Sequence, residues 1–412
     1  MKKLSILTMA ALLVLPLVSQ AQEKKEEAKQ DSGYVFSIVK ELPVTPVKNQ
    51  NQAGTCWCYS GLGFIEAELL RMGKGEYDLS EMYIVHHTYQ DRAMAAVRTH
   101  GDASFSQGGA FSDVIYGMKH YGLVPEQEMR PGVMYGDTLS NHNELSALTD
   151  AMVAAIAKND KLKKLQTNKD NEMLWQKAVK AVHDIYLGEC PEKFTYNGKS
   201  YTPQSFYESL GLNPDDYVGI TSYTHHPFYE AFPLEIQDNW RHSLCYNVPL
   251  DEMMQIMDNA IANGYTVAWG SDVSEQGFRM GVRKGFCVLP ATDASSTNLQ
   301  GSDMAHWTGM SAKQIQDEAA QHPTPQRWVT QEERQIAYDN WETTDDHGML
   351  IYGTAKDQIG NEYYMVKNSW GDYGDYHGMF YASKAFVRYK TMNIVVHKDA
   401  IPKDIKKKLG IK

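Results

Sequence analysis

The sequence is short of cysteine, of long apolar runs and of excess positive charge, and each shortage excludes a class of protein. Five cysteines in 412 residues are too few for a disulfide-stabilised scaffold, and their odd number leaves at least one thiol unpaired. Beyond the first thirty residues, no apolar run reaches the about 20 residues that a membrane-spanning helix needs. The 51 acidic residues outnumber the 40 basic ones, which argues against nucleic acid as the main partner.

The beginning of the chain has the pattern of an export signal. Two lysines precede an apolar run over residues 6–18, and small and polar residues follow at 19–21. This order is typical of a secretory signal peptide, and the run is too short for a membrane anchor. We therefore predict a signal peptide over 1–21, a flexible linker over 22–33, and export to the periplasm or the outside. Removing the signal leaves 38 basic against 51 acidic residues, a net charge of −13.

Cys56 lies where a loop passes into a helix. Gly54 and Thr55 end the loop, and apolar residues then recur at helical spacing until Gly73 ends the run. Cys56 is therefore expected at a helix N-terminus. There the helix dipole and the free amide groups favour the thiolate, which is the nucleophilic form of the side chain.

A proton acceptor for this thiol lies far along the chain, in two segments rich in strand-forming residues. His347 begins the first segment, and Asn368 follows the second. A hairpin that turns at 356–359 would place residues 347 and 368 opposite each other, with their Cβ atoms about 5 Å apart. The carboxamide oxygen of Asn368 could then accept the imidazole N–H and fix its tautomer, as the third member of a catalytic triad does. Trp370 would cover this contact from water.

Gln50 is a candidate for stabilising the transition state. It stands six residues before Cys56, close enough for its amide N–H to reach the oxygen of a tetrahedral intermediate. The backbone N–H of Cys56 would be the second donor. Losing one such donor typically lowers the rate by about 10²–10³.

These segments together resemble the papain superfamily of cysteine peptidases. The resemblance rests on Gln50 with the pair Cys56-Trp57, on the strand of His347, and on the box 368–371, which reads Asn-Ser-Trp-Gly. It implies an α+β papain-like fold in which a helical domain carries the cysteine and a β-rich domain carries the histidine and asparagine. The cleft between the two domains would hold the substrate.

A glycine pair supports the same resemblance. In papain-like enzymes the corresponding Gly-Gly lets the backbone approach and hydrogen-bond an extended peptide, which a Cβ atom would prevent. Here the pair is Gly108-Gly109, followed by a helical stretch. Gly109 is the stronger candidate for the substrate contact, and we add Trp370 to the residues expected near the substrate.

The spacing of the motifs indicates a particular branch of the superfamily. His347 follows Cys56 by 291 residues, whereas ordinary papain-like enzymes have about 130–150 residues between them. This layout resembles bleomycin hydrolase and aminopeptidase C, as do the segments 201–207, 268–272 and 334–347. We therefore predict one peptidase domain over 34–412 with a family-specific insertion over about 140–250. The resemblance also implies a homohexamer, and it implies no cofactor.

The predicted activity is a cysteine peptidase that removes N-terminal residues from peptides. In that branch the carboxylate of a C-terminal arm holds the free amine of the substrate, but here only three residues follow the helical segment 398–409. An endopeptidase or dipeptidyl peptidase with a more open cleft therefore remains an alternative. A peptide-binding protein with a disabled site is a further one, although Gln50, Cys56, His347 and Asn368 are all intact. An acyl transferase of the transglutaminase kind would not explain Gly108-Gly109 or the Asn-Ser-Trp box, and it ranks last.

The remaining cysteines and the paired histidines predict no metal site. Cys58 is expected to be a core thiol. The other three cysteines, Cys190, Cys245 and Cys287, would form one disulfide or none. The pairs His86-His87 and His225-His226 lack a second ligand pair at zinc spacing.

Overall fold

The structure is a computed structural model, and it describes residues 33–291 and 310–412. The predicted signal peptide and all of the predicted linker except Gly33 lie outside these residues. Within the described ranges, no helix is long and apolar enough to cross a membrane.

The regular elements of the described residues alternate along the chain. The α-helices are α1 (Cys56–Arg71), α2 (Glu81–Arg98), α3 (Phe111–His120), α4 (Asn143–Ala157), α5 (Leu174–Leu187), α6 (Pro203–Leu210), α7 (Leu250–Ala262), α8 (Gln276–Gly281), α9 (Ala312–Ala319), α10 (Gln331–Asp339), α11 (Lys384–Lys390) and α12 (Lys403–Leu409). The strands are β1 (Ser37–Glu41), β2 (Phe194–Tyr196), β3 (Lys199–Tyr201), β4 (Tyr217–Thr221), β5 (Ala231–Pro233), β6 (Leu244–Asn247), β7 (Val267–Ser271), β8 (Phe286–Cys287), β9 (His347–Lys356), β10 (Glu362–Lys367), β11 (Met379–Ser383) and β12 (Thr391–His397). Short 3-10 turns lie at Glu126–Glu128, Val133–Tyr135, Pro214–Asp216, Val282–Lys284 and Lys398–Ala400.

One ten-stranded mixed sheet organises the molecule. Its order is β5-β6-β4-β12-β7-β9-β10-β11-β8, and β1 pairs with the second half of β9. The pairs β4–β6 and β8–β11 are parallel, and the other neighbours are antiparallel. The remaining strands, β2 and β3, form a separate hairpin. Because β9 lies between β7 and β10, the residue that begins it is held at the centre of the sheet.

Alternate residues of the central strands face two separate apolar cores. On β7, Trp269 belongs to one core and Ala268 to the other; on β9, Met349 and Leu350 divide in the same way. This follows from the two-residue period of a strand. Helix α7 covers the first face, whereas α1, α2 and α6 cover the second. The sheet therefore lies against a helical half on one side, which agrees with the predicted α+β architecture.

The predicted insertion over about 140–250 does not form a separate unit. Its strands β4, β5 and β6 extend the main sheet beyond β12. Its helices α4 and α5 pack on α2 and on each other. The extra segment is therefore built into both halves of the protein.

The predicted register of the hairpin between β9 and β10 is wrong. Leu350, rather than residue 348, pairs with Lys367. The carboxylate of Asp357 accepts two backbone N–H groups of the connecting turn and widens it, and a β-bulge within the pair changes the register again. His347 instead pairs with Ser271 of β7.

Candidate active site

Cys56 is the first residue of α1, as the sequence predicts. Its half-buried side chain lines a small pocket at the floor of a cleft, together with Trp57, Gly109 and His347. The pocket thus joins residues of the helical half to the first residue of β9. Of the predicted site residues, Cys56, Gly109 and His347 line this pocket.

The surroundings of the thiol favour its neutral form in the free protein. Burial raises the pKa of Cys56 to about 12; the backbone amide of Gly348 opposes this shift, and the carboxylates of Asp345 and Asp238 add to it. Burial also lowers the pKa of His347 to about 4, with the hydrogen bond to Asn368 acting in the opposite direction. Loss of hydration on burial therefore raises the pKa of the thiol, in opposition to the helix N-terminus.

A hydrogen bond at Nε2 orients the imidazole of His347. Its Nε2–H donates to Oδ1 of Asn368 at 2.7 Å. The same oxygen accepts the backbone N–H of Ser369 at 2.8 Å, and the amide nitrogen of Asn368 donates to the hydroxyl of Tyr373 at 2.8 Å. The carboxamide can therefore present only its oxygen to the ring. The ring of Trp370 lies 4.9 Å from the ring of His347, centre to centre, and covers the contact.

Gln50 is fixed by the residue that follows Asn368. Its backbone N–H donates to the carbonyl of Ser369 at 2.8 Å, and its side-chain oxygen accepts the Ser369 hydroxyl at 2.6 Å. The side-chain nitrogen donates to the carbonyl of Ala53 at 2.8 Å. An amide nitrogen carries two hydrogens, so one N–H remains for a ligand. The role of Gln50 as an oxyanion donor stays a prediction.

The glycine pair is required by the packing of the cleft wall. A Cβ atom on Gly109 would lie 2.8 Å from the ring of Trp57, and one on Gly108 would lie 2.2 Å from the carboxylate of Asp238. The carbonyl of Gly108 accepts a hydrogen bond from the fully buried guanidinium of Arg92. This carbonyl is therefore engaged within the protein, and the predicted substrate contact at Gly109 remains untested.

Sequence reasoning missed two carboxylates in the cleft. Asp238 and Asp345 line the pocket of Cys56 and also a larger cavity next to it. Arg92 holds Asp238, with 3.2 Å between Nη1 and Oδ1. The carboxylate of Asp345 has no hydrogen-bond or ion-pair partner among the described residues. Burial raises the pKa of Asp345 to about 7, and the neighbouring charges of Asp238 and Asp346 contribute.

Only one of these carboxylates left a signal in the sequence. Asp345 stands two residues before His347, so its position near the cleft could be predicted from the position of the histidine. Asp238 lies in the extra segment, far from every motif, and only the fold brings it to Gly108.

Known proteins resemble this chain over almost its whole length. The family described as "Peptidase C1-like family" matches residues 9–287 and 321–411. Aminopeptidase G of Lactobacillus delbrueckii subsp. lactis is 25% identical over 408 residues, which cover 90% of this chain and 84% of that protein. Aminopeptidase C of Lactobacillus helveticus is 23% identical over 429 residues, which cover 92% of this chain and 85% of that protein.

A solved structure shares the fold. The crystal structure of PepW from Lactobacillus rhamnosis superposes with a TM-score of 0.66 at 20% identity, covering 91% of this chain and 84% of that one. The predicted papain-like α+β fold is confirmed.

Proposed function

The chain belongs to the Peptidase C1-like family, and on that basis we propose that it is a cysteine peptidase that removes residues from the free N-terminus of peptides. One observation carries the proposal. The imidazole of His347, held by Asn368 at 2.7 Å, lines the same pocket as the thiol of Cys56. The relatives named aminopeptidase G and aminopeptidase C support action at the N-terminus.

The first half of the reaction forms a thioester. The sulfur of Cys56 attacks the carbonyl carbon of the first peptide bond, and the thiol proton passes to Nδ1 of His347. Asn368 keeps the Nε2–H in place, so the ring accepts the proton in the correct orientation. The negative charge on the carbonyl oxygen is met by the free N–H of Gln50 and by the backbone N–H of Cys56.

The second half returns the enzyme to its starting state. The imidazolium of His347 gives its proton to the leaving amine as the C–N bond breaks, which releases the shortened peptide. The neutral ring then takes a proton from a water molecule that attacks the thioester. Breaking the C–S bond releases the N-terminal amino acid and restores the thiol of Cys56.

The carboxylates of the cleft supply a reason for a preference for free amines. A peptide N-terminus carries a positive charge below a pKa of about 8, and it is attached to the Cα next to the carbonyl that Cys56 attacks. Arg92 already balances Asp238, whereas Asp345 is unpaired among the described residues. We assign Asp345 as the main acceptor of the α-ammonium group, with Asp238 beside it. Attraction between opposite charges is stronger in such a partly buried cleft than in water.

Dipeptidyl release is the second candidate. The larger cavity beside the two carboxylates has a volume of about 600 Å³ and continues away from Cys56 towards Tyr338 and Trp341. This space can accept one further residue at the N-terminal end of the substrate. In that case the ammonium group would lie beyond Asp345.

Two peptides and one variant separate these possibilities. Protein lacking residues 1–21, with and without Cys56→Ala, is given a peptide with a free N-terminus and its acetylated twin under reducing conditions. Mass spectrometry should show single residues lost from the free peptide alone, and Cys56→Ala should abolish the loss. Dipeptides from the free peptide would establish the second candidate. Internal cuts in both peptides would show an endopeptidase, and no cleavage of either would refute a peptidase.

We also propose that the protein is exported. The support is the order of lysines, apolar run and small residues at the beginning of the sequence. Cell fractionation and N-terminal sequencing of the mature protein test this, since a chain that stays in the cytoplasm with its first 21 residues intact would contradict it.

A homo-oligomer, by family resemblance a hexamer, is a further proposal. It rests on that resemblance alone, and light scattering on the purified protein gives the mass directly. A mass equal to that of a single chain would refute it.

A further inference from the structure

Outside the catalytic cleft, the fold brings two histidines and a cysteine together. His86 and His87 lie on α2, and Cys190 follows α5 in the extra segment. One nitrogen of each ring and the cysteine sulfur lie within 4.8 Å of one another. The sequence alone predicts no metal here, because the third ligand is distant along the chain. We propose that His86, His87 and Cys190 bind a zinc ion, with water as the fourth ligand.

The ring of His86 is set up as a metal ligand. It is 1% exposed, and its Nε2–H donates to Oδ1 of Asp184 at 2.8 Å. This hydrogen bond places the lone pair on Nδ1, which has no partner among the described residues. A buried nitrogen without a partner is uncommon in folded proteins. A carboxylate that holds the far nitrogen of the ring is the usual companion of a zinc-bound histidine.

The other two ligands are also available. The ring of His87 stacks on the ring of Tyr121, with 4.1 Å between the ring centres. Its Nε2 has no partner in the part of the chain that is described. Each ring therefore has a nitrogen whose lone pair can bind a metal ion, as a neutral imidazole does. The thiol of Cys190 is free and half-buried.

The donor set and the spacing suit zinc. Zinc bonds of about 2.0–2.1 Å to nitrogen and 2.3 Å to sulfur place tetrahedral ligand atoms roughly 3.3–3.6 Å apart. The ligand atoms now lie within 4.8 Å of one another, so side-chain rotations that shorten these separations by up to about 1.5 Å would complete the site. Cys190 would lose its proton on binding. The zinc–thiolate unit then carries one positive charge, and Asp184, which also pairs with Lys180 at 2.7 Å, lies behind His86.

The proposed ion would tie the extra segment to the helical half. Cys190 closes the end of α5, whereas the two histidines lie in the middle of α2. The same helix carries Arg92, which holds the carbonyl of Gly108 in the cleft. The site is separate from Cys56 and does not depend on the proposed peptidase activity.

Zinc binding is measured on the Cys56→Ala chain, which lacks the catalytic thiol. The variant Cys56→Ala prevents zinc from binding at the catalytic pair, and further changes are made in that background. Titration calorimetry should give one zinc ion per chain, and zinc should raise the melting temperature. Cys190→Ser and His87→Gln should weaken binding at least tenfold, and Asp184→Asn by about 10- to 100-fold.

His322→Gln is the control, because His322 is an exposed histidine that belongs to no group of possible metal ligands among the described residues. It should leave zinc binding unchanged. Loss of binding in His322→Gln, or equal binding in Cys190→Ser, would overturn the proposal.

A second measurement does not depend on whether the chains with a substituted zinc ligand fold. In the Cys56→Ala chain, zinc should slow the alkylation of Cys190 by iodoacetamide, as followed by peptide mass spectrometry. Cobalt should give the visible absorption of a tetrahedral site with a sulfur ligand. An unchanged alkylation rate together with no cobalt spectrum would refute the site.

Discussion

Asn368 accepts a hydrogen bond from His347 at 2.7 Å, although the two residues are not opposite each other in the hairpin. Lys367 pairs with Leu350, three residues beyond the histidine. Asn368 leaves the strand immediately after this pair, and its side chain reaches the ring from the loop. The contact therefore depends on the loop after β10, where Ser369 and Tyr373 fix the carboxamide.

Asn368→Ala should lower kcat about 100-fold and change KM little. The ring of His347 would lose the acceptor that orients it, and a misplacement of about 1 Å can cost a factor of 10². Tyr373→Phe is the control, because it removes only the support behind the carboxamide and should cost much less. Steady-state kinetics on a free N-terminal peptide measure both. Equal losses in the two variants would show that the loop, and not the hydrogen bond to His347, matters.

Ser369→Ala should lower kcat about tenfold through Gln50. The hydroxyl of Ser369 donates to the amide oxygen of Gln50 at 2.6 Å and so keeps the nitrogen on the side of Ala53. Without it the amide loses its fixed orientation. Gln50→Ala should cost more, about 10²–10³, because the donor itself is lost. If Gln50→Ala is no slower than Ser369→Ala, Gln50 does not stabilise the oxyanion.

The contrast between these residues shows what the sequence can and cannot predict. Cys56 at the start of α1 was predictable, because loop signals and helical spacing are local. The register around Asp357 was not, since a side chain that binds the turn changed the length of the loop. The place of Asp238 could not be predicted, because its contact with Gly108 depends on how the extra segment folds back over the cleft.

Asp345→Asn should reduce kcat/KM for peptides with a free N-terminus by about 10- to 100-fold. A hydrogen bond to a charged group contributes about 1.5–3 kcal/mol, and each 1.4 kcal/mol is a factor of ten. Asp346→Asn is the control, since its carboxylate accepts the backbone N–H groups of Val273 and Ser274 instead. A similar loss for Asp346→Asn would contradict the assignment of Asp345 as the ammonium acceptor.

The pH profile of kcat/KM should be bell-shaped, because Asp345 and the substrate amine must both be charged. The pKa of Asp345 is about 7, so the carboxylate becomes ionised and kcat/KM rises as the pH rises through that value. Above about 8 the substrate amine loses its charge and kcat/KM falls. The pKa values of His347, about 4, and Cys56, about 12, lie outside this window. Asp345→Asn should remove the acidic limb; a limb that persists in this variant would assign it to another group.

The same carboxylate should destabilise the folded protein at neutral pH. Its pKa is about 7 when folded and about 3.9 when unfolded, so folding binds a proton between these values and stability falls as the pH rises through them. Above pH 7 the loss is complete. Asp345→Asn should therefore raise the free energy of unfolding at pH 8 by about 1–2 kcal/mol more than at pH 4, after allowance for the partial exposure of the side chain.

Urea unfolding at both pH values measures the difference, with Asp215→Asn, which changes an exposed carboxylate, as the control. A difference that does not change with pH would mean that Asp345 ionises normally, and it would remove the basis for a carboxylate held ready for the substrate amine. A gain in stability coupled to a loss of activity is expected where a charge is buried for binding.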